Sequence, residues 1–164
     1  DLKKTLHTTF QIQQAAAAEK GIKLTDQLKS SVFIVADADM LQLIVRNLVN
    51  NAIKFTPTGG NILVSNDIIG DDCRIIVEDS GMGIPYERQT DIFSLKANST
   101  FGTKNEKGVG LGLVLCREFV ELQGGQITFE SSPATGTIFY IRFKLFGNIA
   151  YADGDEKKKL TRKV

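Results

Sequence analysis

The chain has 164 residues, of which 42% are hydrophobic and 24% are charged, and its formal net charge is +1. This composition is typical of one globular domain with its own core, and it gives no electrostatic reason to expect nucleic acid as a partner. No apolar run approaches the roughly 20 residues that a membrane-spanning helix needs. The two cysteines lack CxxC spacing and the single histidine has no ligand cluster beside it. We therefore expect reduced, partly buried thiols in a cytoplasmic protein, and no zinc site.

The first half of the chain predicts two helices and two short strands. Apolar residues at helical spacing predict a helix over about residues 1–20, which ends at Gly21. The runs IKLT and VFIVAD are interpreted as strands, the second because its apolar residues alternate. Asp37 is placed to cap a long helix over about residues 38–55, which ends at the turn TPTGG.

The second half of the chain predicts two hairpins with a helix between them. NILVSNDII and CRIIVED flank a Gly-Asp-Asp turn, and QITFESS and GTIFYIRFKLF form the second pair. Between the hairpins we expect a short helix near residues 86–93, a mobile polar loop over residues 94–108, and a helix that begins at the glycines of KGVGLGL. This order predicts an α+β two-layer sandwich, a mixed sheet with about three helices on one face.

Three polar residues of the long helix, Asn47, Asn51 and Lys54, fall on one stripe at the edge of its apolar face. At 100° per residue, Asn51 lies about 40° from Asn47, and Lys54 lies about 20° on the other side. An amide oxygen can ligate Mg²⁺, and a lysine can neutralise phosphate. A solvated helix edge is the competing interpretation of this stripe.

The stretch VEDSGMGIP places Asp79 at the end of a strand, directly before Gly81 and Gly83. Glycines allow a ligand to approach the backbone, and a carboxylate can accept hydrogen bonds from an amino group such as that of adenine. An ordinary strand-end turn would explain the same residues.

A third glycine cluster, Gly108, Gly110 and Gly112, precedes and begins a helix. A helix N-terminus offers unpaired N–H groups and a partial positive charge, so it can receive phosphate. The GxGxG pattern fits neither the dinucleotide fingerprint nor a P-loop. Close helix packing is the alternative explanation.

Taken together, the three clusters resemble the ATP-binding domain of sensor histidine kinases, a branch of the ATPases that includes gyrase, the ninety-kilodalton heat-shock chaperone and the mismatch-repair protein MutL. NLVNNAIKFTPTGG resembles the N box, DSGMGI the G1 box and GVGLGL the G2 box of that family. GTIF is similar to its last glycine motif, and DIFS is a partial match to its F box. The resemblance covers about residues 1–146 and implies one domain of the Bergerat-type ATP-binding fold, followed by a charged, disordered tail over residues 147–164.

The resemblance implies roles for these residues. Asn51 would ligate Mg²⁺ with Asn47 supporting it, and Asn51 and Lys54 would serve phosphoryl transfer, the lysine at a phosphate. Asp79 would hydrogen-bond the adenine amino group, assisted by Thr137 through water. The loop over residues 94–108 would be an ATP lid. The expected nucleotide-binding residues are Asn47, Asn51, Lys54, Asp79, Gly81, Gly83, Lys104, Lys107, Gly108, Gly110, Leu111, Gly112 and Thr137.

Two features depart from the family pattern. Lys96 stands where the F box usually has a second aromatic residue. His7, in LHTTF, lacks the acidic residue and proline that follow the family's phosphoacceptor histidine, so we interpret it as a helix-surface residue.

The resemblance therefore implies the catalytic part of a two-component kinase, which presents the γ-phosphate of Mg-ATP to a histidine on a separate dimerisation domain, with a response regulator downstream. Because the chain begins at Asp1, we expect it to be a piece of a longer parent. We expect this piece to be monomeric, because the dimerising helices are absent, and inactive without that domain. A non-catalytic nucleotide-binding scaffold is the alternative. A hydrolase of the gyrase branch is disfavoured, because Asn47 stands where that branch has its glutamate base.

Overall fold

The computed structural model describes residues 1–94, 102–104 and 111–147 of the chain. Every predicted helix is present in this part of the chain, and every predicted strand except one. The elements follow in the order α1 (Leu2–Glu19), β1 (Lys23–Gln27), α2 (Ala38–Phe55), β2 (Asn61–Ile69), β3 (Asp72–Asp79), α3 (Tyr86–Gln89), α4 (Gly112–Leu122), β4 (Gln126–Ser132) and β5 (Gly136–Lys144).

The five strands form one mixed sheet with the order β1-β2-β3-β5-β4. β1 runs parallel to β2, and the other neighbours are antiparallel, so both predicted hairpins are confirmed. α1 packs on β1, α2 on β2 and β3, and α4 on β4. Buried residues alternate along β2, β3 and β5, as expected for a sheet covered by helices on one face. The predicted two-layer sandwich is confirmed.

α2 lies at the centre of the helical layer, because it contacts both α1 and α4. Its start is set as the sequence predicts, since the Asp37 side chain accepts a hydrogen bond of 2.9 Å from the Met40 N–H. Its apolar stripe is buried in the core, and this stripe comprises Leu41, Ile44, Val45, Leu48, Val49 and Ala52. Within the described part of the chain, no helix combines the length and apolarity needed to cross a bilayer.

The prediction of a strand at VFIVAD is wrong. Only Ile34 forms a β-bridge, with Leu145, and Phe33 and Val35 are exposed by 38% and 53%. The reason is that β4 already pairs with β5 as far as Arg142, so this segment meets only the last residues of β5. α3 is also shorter than predicted. Apart from Gly147, the predicted tail lies outside the described residues.

Lys20, a lysine that is only 7% exposed, connects the end of α1 to the end of α2 by hydrogen bonds. Its Nζ donates to the carbonyl of Ile53 at 2.7 Å and to that of Lys54 at 2.8 Å. These are carbonyls of the last helical turn, which lack partners within a helix. The Lys54 carbonyl also accepts from the Thr103 N–H at 3.0 Å. One carbonyl thus joins α1, α2 and the segment before α4.

Replacing this ammonium should destabilise the domain. We expect Lys20→Met, which keeps the aliphatic stem, to lower the free energy of unfolding by about 2 kcal/mol, because the carbonyls of Ile53 and Lys54 each lose a charged donor in a partly buried place. Lys4→Met, at an exposed position of α1, is the matched control and should cost less than about 0.5 kcal/mol. Urea unfolding followed by circular dichroism measures both. Equal effects of the two changes would contradict the role assigned to Lys20.

Candidate functional site

Asp79 occupies the last position of β3 and is only 8% exposed. Its Oδ1 accepts hydrogen bonds from the backbone N–H of Gly81 at 2.8 Å and of Thr137 at 3.3 Å. Burial raises the pKa of this carboxyl to about 6, although both hydrogen bonds lower it. Among the described residues, both hydrogen bonds to the carboxylate go to the same oxygen, so Oδ2 can accept from a ligand.

The glycines that follow Asp79 are required by the protein's own backbone. A Cβ at Gly81 would lie 2.6 Å from the Phe55 carbonyl oxygen, and one at Gly83 would lie 2.0 Å from that of Ser132. Gly83 also has a φ of +69°, which favours glycine. The loop is therefore pressed between the end of α2 and the turn between β4 and β5. The expectation that Gly83 admits a ligand stays a prediction, because this packing alone already demands glycine.

The stripe of α2 lies at the edge of the core as predicted, since Asn47, Asn51 and Lys54 are half-buried while Asn50 is exposed. The Asn47 side chain hydrogen-bonds the buried Cys116 thiol of α4, whose pKa burial raises to about 12. The Lys54 ammonium lies 4.8 Å from the centre of the Phe55 ring. Asn47 thus faces α4, one turn before Asn51 on the same helix.

The start of α4 lies next to Asn47. A Cβ at Gly112 would lie 3.8 Å from Cγ and Oδ1 of Asn47, an ordinary contact distance, so the protein itself leaves room for a side chain there. Leu111, which is 43% exposed, is the N-cap, and no side chain caps this helix. α1 and α2, by contrast, begin at aspartates that accept from their first turns. The predicted site residues Lys107, Gly108 and Gly110 lie outside the described residues.

The described part of the predicted lid contacts the end of α2. Thr103 Oγ1 contacts the carbonyl oxygens of Lys54 and Thr56 at 3.3 and 3.2 Å, and Lys104 follows it as an exposed residue. Phe93, in the partial F-box match just before this loop, packs edge-on against Phe129, with ring centres 5.9 Å apart. Lys96 lies outside the described residues.

Sequence reasoning missed three residues that hold the site together, namely Lys20, Gln89 and Ser131. Gln89 Nε2 donates to the carbonyls of Ile84 and Ser131 at 2.9 and 3.1 Å. Ser131 Oγ accepts from the Ile84 N–H at 2.8 Å and lies 2.9 Å from Thr137 Oγ1. A usable signal for Ser131 was present, because the predicted second hairpin sets Ser131 opposite Thr137, and Ser–Thr pairs across strands form hydrogen bonds.

The buried carboxyl should make the stability of the domain depend on pH. Its pKa is about 6 in the folded state, above the value of about 3.9 expected in the unfolded chain. The folded state therefore binds the proton more tightly, and ionisation destabilises the fold progressively between about pH 4 and pH 6. Above this range the cost is constant, at about 2–3 kcal/mol.

Asp79→Asn removes the charge and keeps an oxygen for the Gly81 and Thr137 N–H groups. Without nucleotide, we expect the melting temperatures of wild type and variant to be similar near pH 4, and the variant to be more stable by neutral pH. Thermal unfolding followed at intervals between pH 4 and pH 8 measures this. If the melting temperatures of the two proteins changed in parallel with pH, burial would not disfavour the ionised form of this carboxyl.

Comparison with known proteins gives a consistent result. Residues 36–146 match the family model described as "Histidine kinase-, DNA gyrase B-, and HSP90-like ATPase". The chain is 34% identical over 152 residues to the signal transduction histidine-protein kinase BarA of Escherichia coli strain K12, covering 88% of this chain and 16% of BarA. The chain thus spans about a sixth of the length of that relative.

Solved structures show the same similarity. The nucleotide-free catalytic domain of histidine kinase ThkA superposes with a TM-score of 0.76 at 26% identity, covering 88% of this chain and 94% of that domain. Full-length ShkA in complex with AMPPNP gives a TM-score of 0.74 at 26% identity, covering 89% of this chain and 31% of ShkA. Membership of an ATPase family implies ATP binding. The chain belongs to the histidine kinase-, DNA gyrase B- and HSP90-like ATPase family, and its fold is that of a sensor histidine kinase catalytic domain.

Proposed function

We propose that this chain is the ATP-binding and phosphoryl-transferring domain of a two-component sensor kinase, and that residues 1–146 form this domain. It binds Mg-ATP and presents the γ-phosphate to a histidine on a separate dimerisation domain of a cytoplasmic kinase module. The phosphorylated histidine then passes the phosphoryl group to a response regulator. The names of the relatives support this proposal, and so does the AMPPNP bound to ShkA.

The observation that carries the proposal is the placement of Asp79. Its carboxylate is buried at the end of a central strand and next to Thr137 in register, and the backbone fixes one of its oxygens. A buried carboxylate needs compensating hydrogen bonds, and the adenine amino group can supply one to Oδ2. Burial of the carboxylate without nucleotide is thus a cost that ligand binding offsets.

The other end of the site suits the triphosphate. The N-terminus of α4 carries no side-chain cap, so its first N–H groups can donate to phosphate oxygens. Gly112 leaves space beside Asn47 for such a group. Leu111 and Gly112, together with Gly108 and Gly110 before them, would shape this end of the pocket, and Lys104 and Lys107 would add positive charge from the lid.

The residues present also fit a magnesium ion. Asn51 is a half-buried amide one turn after Asn47, whose side chain lies next to Gly112 of α4, and Mg²⁺ binds through a few protein oxygens together with phosphates. Asn51 would hold the ion with Asn47 supporting it, and the ion, when bound, would neutralise charge on the phosphates. Lys54 would contribute a further positive charge at the phosphates.

Phosphoryl transfer requires little covalent participation from this chain, because it depends chiefly on positioning and charge neutralisation. The bond between the γ-phosphorus and the bridging oxygen of ADP breaks, and a bond to an imidazole nitrogen of the partner domain forms. His7 is exposed on α1 and lacks the residues that follow a phosphoacceptor histidine in the family, so we assign the acceptor to another domain. Asn47 is an amide and cannot activate water as a base.

The direct test fuses the chain behind a two-helix dimerisation domain that carries a phosphoacceptor histidine. We expect label from γ-³²P-ATP to appear on the fusion in a form stable to alkali and labile to acid, as a phosphorus–nitrogen bond requires. The label should be lost when the acceptor histidine is replaced by alanine. A fusion that binds ATP and transfers no label would instead support the non-catalytic scaffold.

A further inference from the structure

We propose that Ser131 is a specificity-determining positioning residue, which orients the Thr137 hydroxyl so that this hydroxyl acts only as a hydrogen-bond acceptor toward the nucleotide base. This inference rests on the proposed adenine site at Asp79. It concerns a residue outside the predicted nucleotide-binding set, whose hydroxyl contacts Thr137 Oγ1.

The Ser131 hydroxyl has three neighbours within hydrogen-bond distance. It accepts from the Ile84 N–H at 2.8 Å, lies 3.0 Å from the Gly136 carbonyl oxygen, and lies 2.9 Å from Thr137 Oγ1. A hydroxyl has one proton to donate and two lone pairs that accept. These three contacts therefore use its full hydrogen-bonding capacity.

The directions of these bonds follow once the single proton of Ser131 is assigned. The Gly136 carbonyl can only accept, and we assign the Ser131 proton to it, because the structure has Ser131 as the donor of that bond. The Ile84 N–H takes one lone pair of Ser131, and only one lone pair remains for Thr137. The Thr137 hydroxyl must then donate to Ser131. Any further partner of Thr137 Oγ1 finds lone pairs only.

Neighbouring contacts hold Ser131 and Thr137 in the positions that this donor–acceptor direction requires. Ser131 and Thr137 are paired in register across β4 and β5, and Gln89 fixes the Ser131 carbonyl. Thr137 is 5% exposed and donates its N–H to Asp79. The base-reading end of the site therefore presents two acceptors, the Asp79 carboxylate and Thr137 Oγ1.

A site that presents only hydrogen-bond acceptors to the base distinguishes adenine nucleotides from hypoxanthine nucleotides. Adenine carries an amino group, a donor, where hypoxanthine carries a carbonyl oxygen. Water bound to Thr137 must also point a proton at Thr137, which leaves its second proton for an acceptor such as the N1 atom of adenine. Removing the Ser131 hydroxyl frees the Thr137 proton, which can then donate to the hypoxanthine oxygen.

The test compares the binding of ATP and inosine triphosphate by calorimetry in wild type, Ser131→Ala and Thr135→Val. We expect Ser131→Ala to reduce the ratio of the affinity for ATP to that for inosine triphosphate by about fivefold, the equivalent of one hydrogen bond. Thr135→Val is the matched control, because it removes an exposed hydroxyl of the same turn that donates to the Ser132 carbonyl at 3.0 Å. It should leave the preference unchanged. On a Thr137→Val background, Ser131→Ala should have no further effect on the preference.

Equal weakening of both nucleotides in Ser131→Ala, or an undiminished effect on the Thr137→Val background, would overturn the proposal and leave Ser131 a structural residue. If Ser131→Ala does not fold, Ser131→Cys provides the same comparison, because a thiol of similar shape is a weak donor and acceptor. A folded wild type that binds neither nucleotide, or prefers inosine triphosphate, would instead refute the adenine site at Asp79 and this proposal with it.

Discussion

Asp79→Asn is expected to weaken ATP binding by about 100-fold or more, because it replaces an acceptor by a donor at the base. The Gly81 and Thr137 N–H groups fix the side-chain oxygen of the asparagine, since both already donate to Oδ1 of the aspartate. The amide NH₂ then faces the adenine amino group, and two donors meet. Because the variant should be as stable as wild type or more stable at neutral pH, loss of binding cannot be attributed to unfolding.

The matched control for this prediction is Glu78→Gln, at the exposed neighbour of Asp79 on β3. It removes one carboxylate from the same strand, on the opposite face of the sheet. We expect its ATP affinity to remain within about twofold of wild type, because an exposed charge is screened by solvent. Calorimetric titration at pH 7.5 measures both variants. Wild-type affinity in Asp79→Asn would rule out base recognition by this carboxylate.

Gly83→Ala should destabilise the domain by about 3 kcal/mol or more, since it combines a left-handed backbone with a steric overlap. The new Cβ would lie 2.0 Å from the Ser132 carbonyl oxygen at a φ of +69°. Gly124→Ala separates the two causes, because Gly124 has a φ of +71° with no atom within 4 Å of the new Cβ. That control should cost only about 1–2 kcal/mol.

Gly112→Ala is expected to behave in the opposite way. Its Cβ finds only ordinary contacts with Asn47, so the fold should be unchanged or stabilised by up to about 1 kcal/mol. ATP affinity should nevertheless fall, because the methyl group occupies the space proposed for phosphate. Urea unfolding and ATP titration of the three variants test both statements. A Gly112→Ala protein that binds ATP like wild type would place the triphosphate elsewhere.

The sequence predicts most of the fold because its local signals agree with one another. For α2, the capping residue Asp37 and the apolar stripe coincide with the observed helix, and the hairpins follow from alternation and turn residues. The VFIVAD segment misleads because alternation reports that a segment is extended and half-buried. It does not report whether a neighbouring strand still has unpaired backbone N–H and carbonyl groups. Here most of those groups on β5 already pair with β4.

The placement of the candidate residues was predictable where it follows from local patterns, since Asp79 is buried at the end of β3 and the α2 stripe lies at the edge of the core. It was not predictable where a role depends on tertiary contact. A lysine at a helix end is usually exposed, yet Lys20 is buried on the carbonyls of another helix. Gly83 reads as an opening for a ligand, yet the nearest obstacle to a side chain is the Ser132 carbonyl. Such contacts join residues that are far apart in the chain.

The most direct measurement is a calorimetric titration of the chain with AMPPNP, with and without Mg²⁺, on a sample whose folding circular dichroism has established. We predict saturable binding to one site that is strengthened by Mg²⁺, weakened in Asn51→Asp and lost in Asp79→Asn. A folded wild type that binds no nucleotide under either condition would contradict the proposed function.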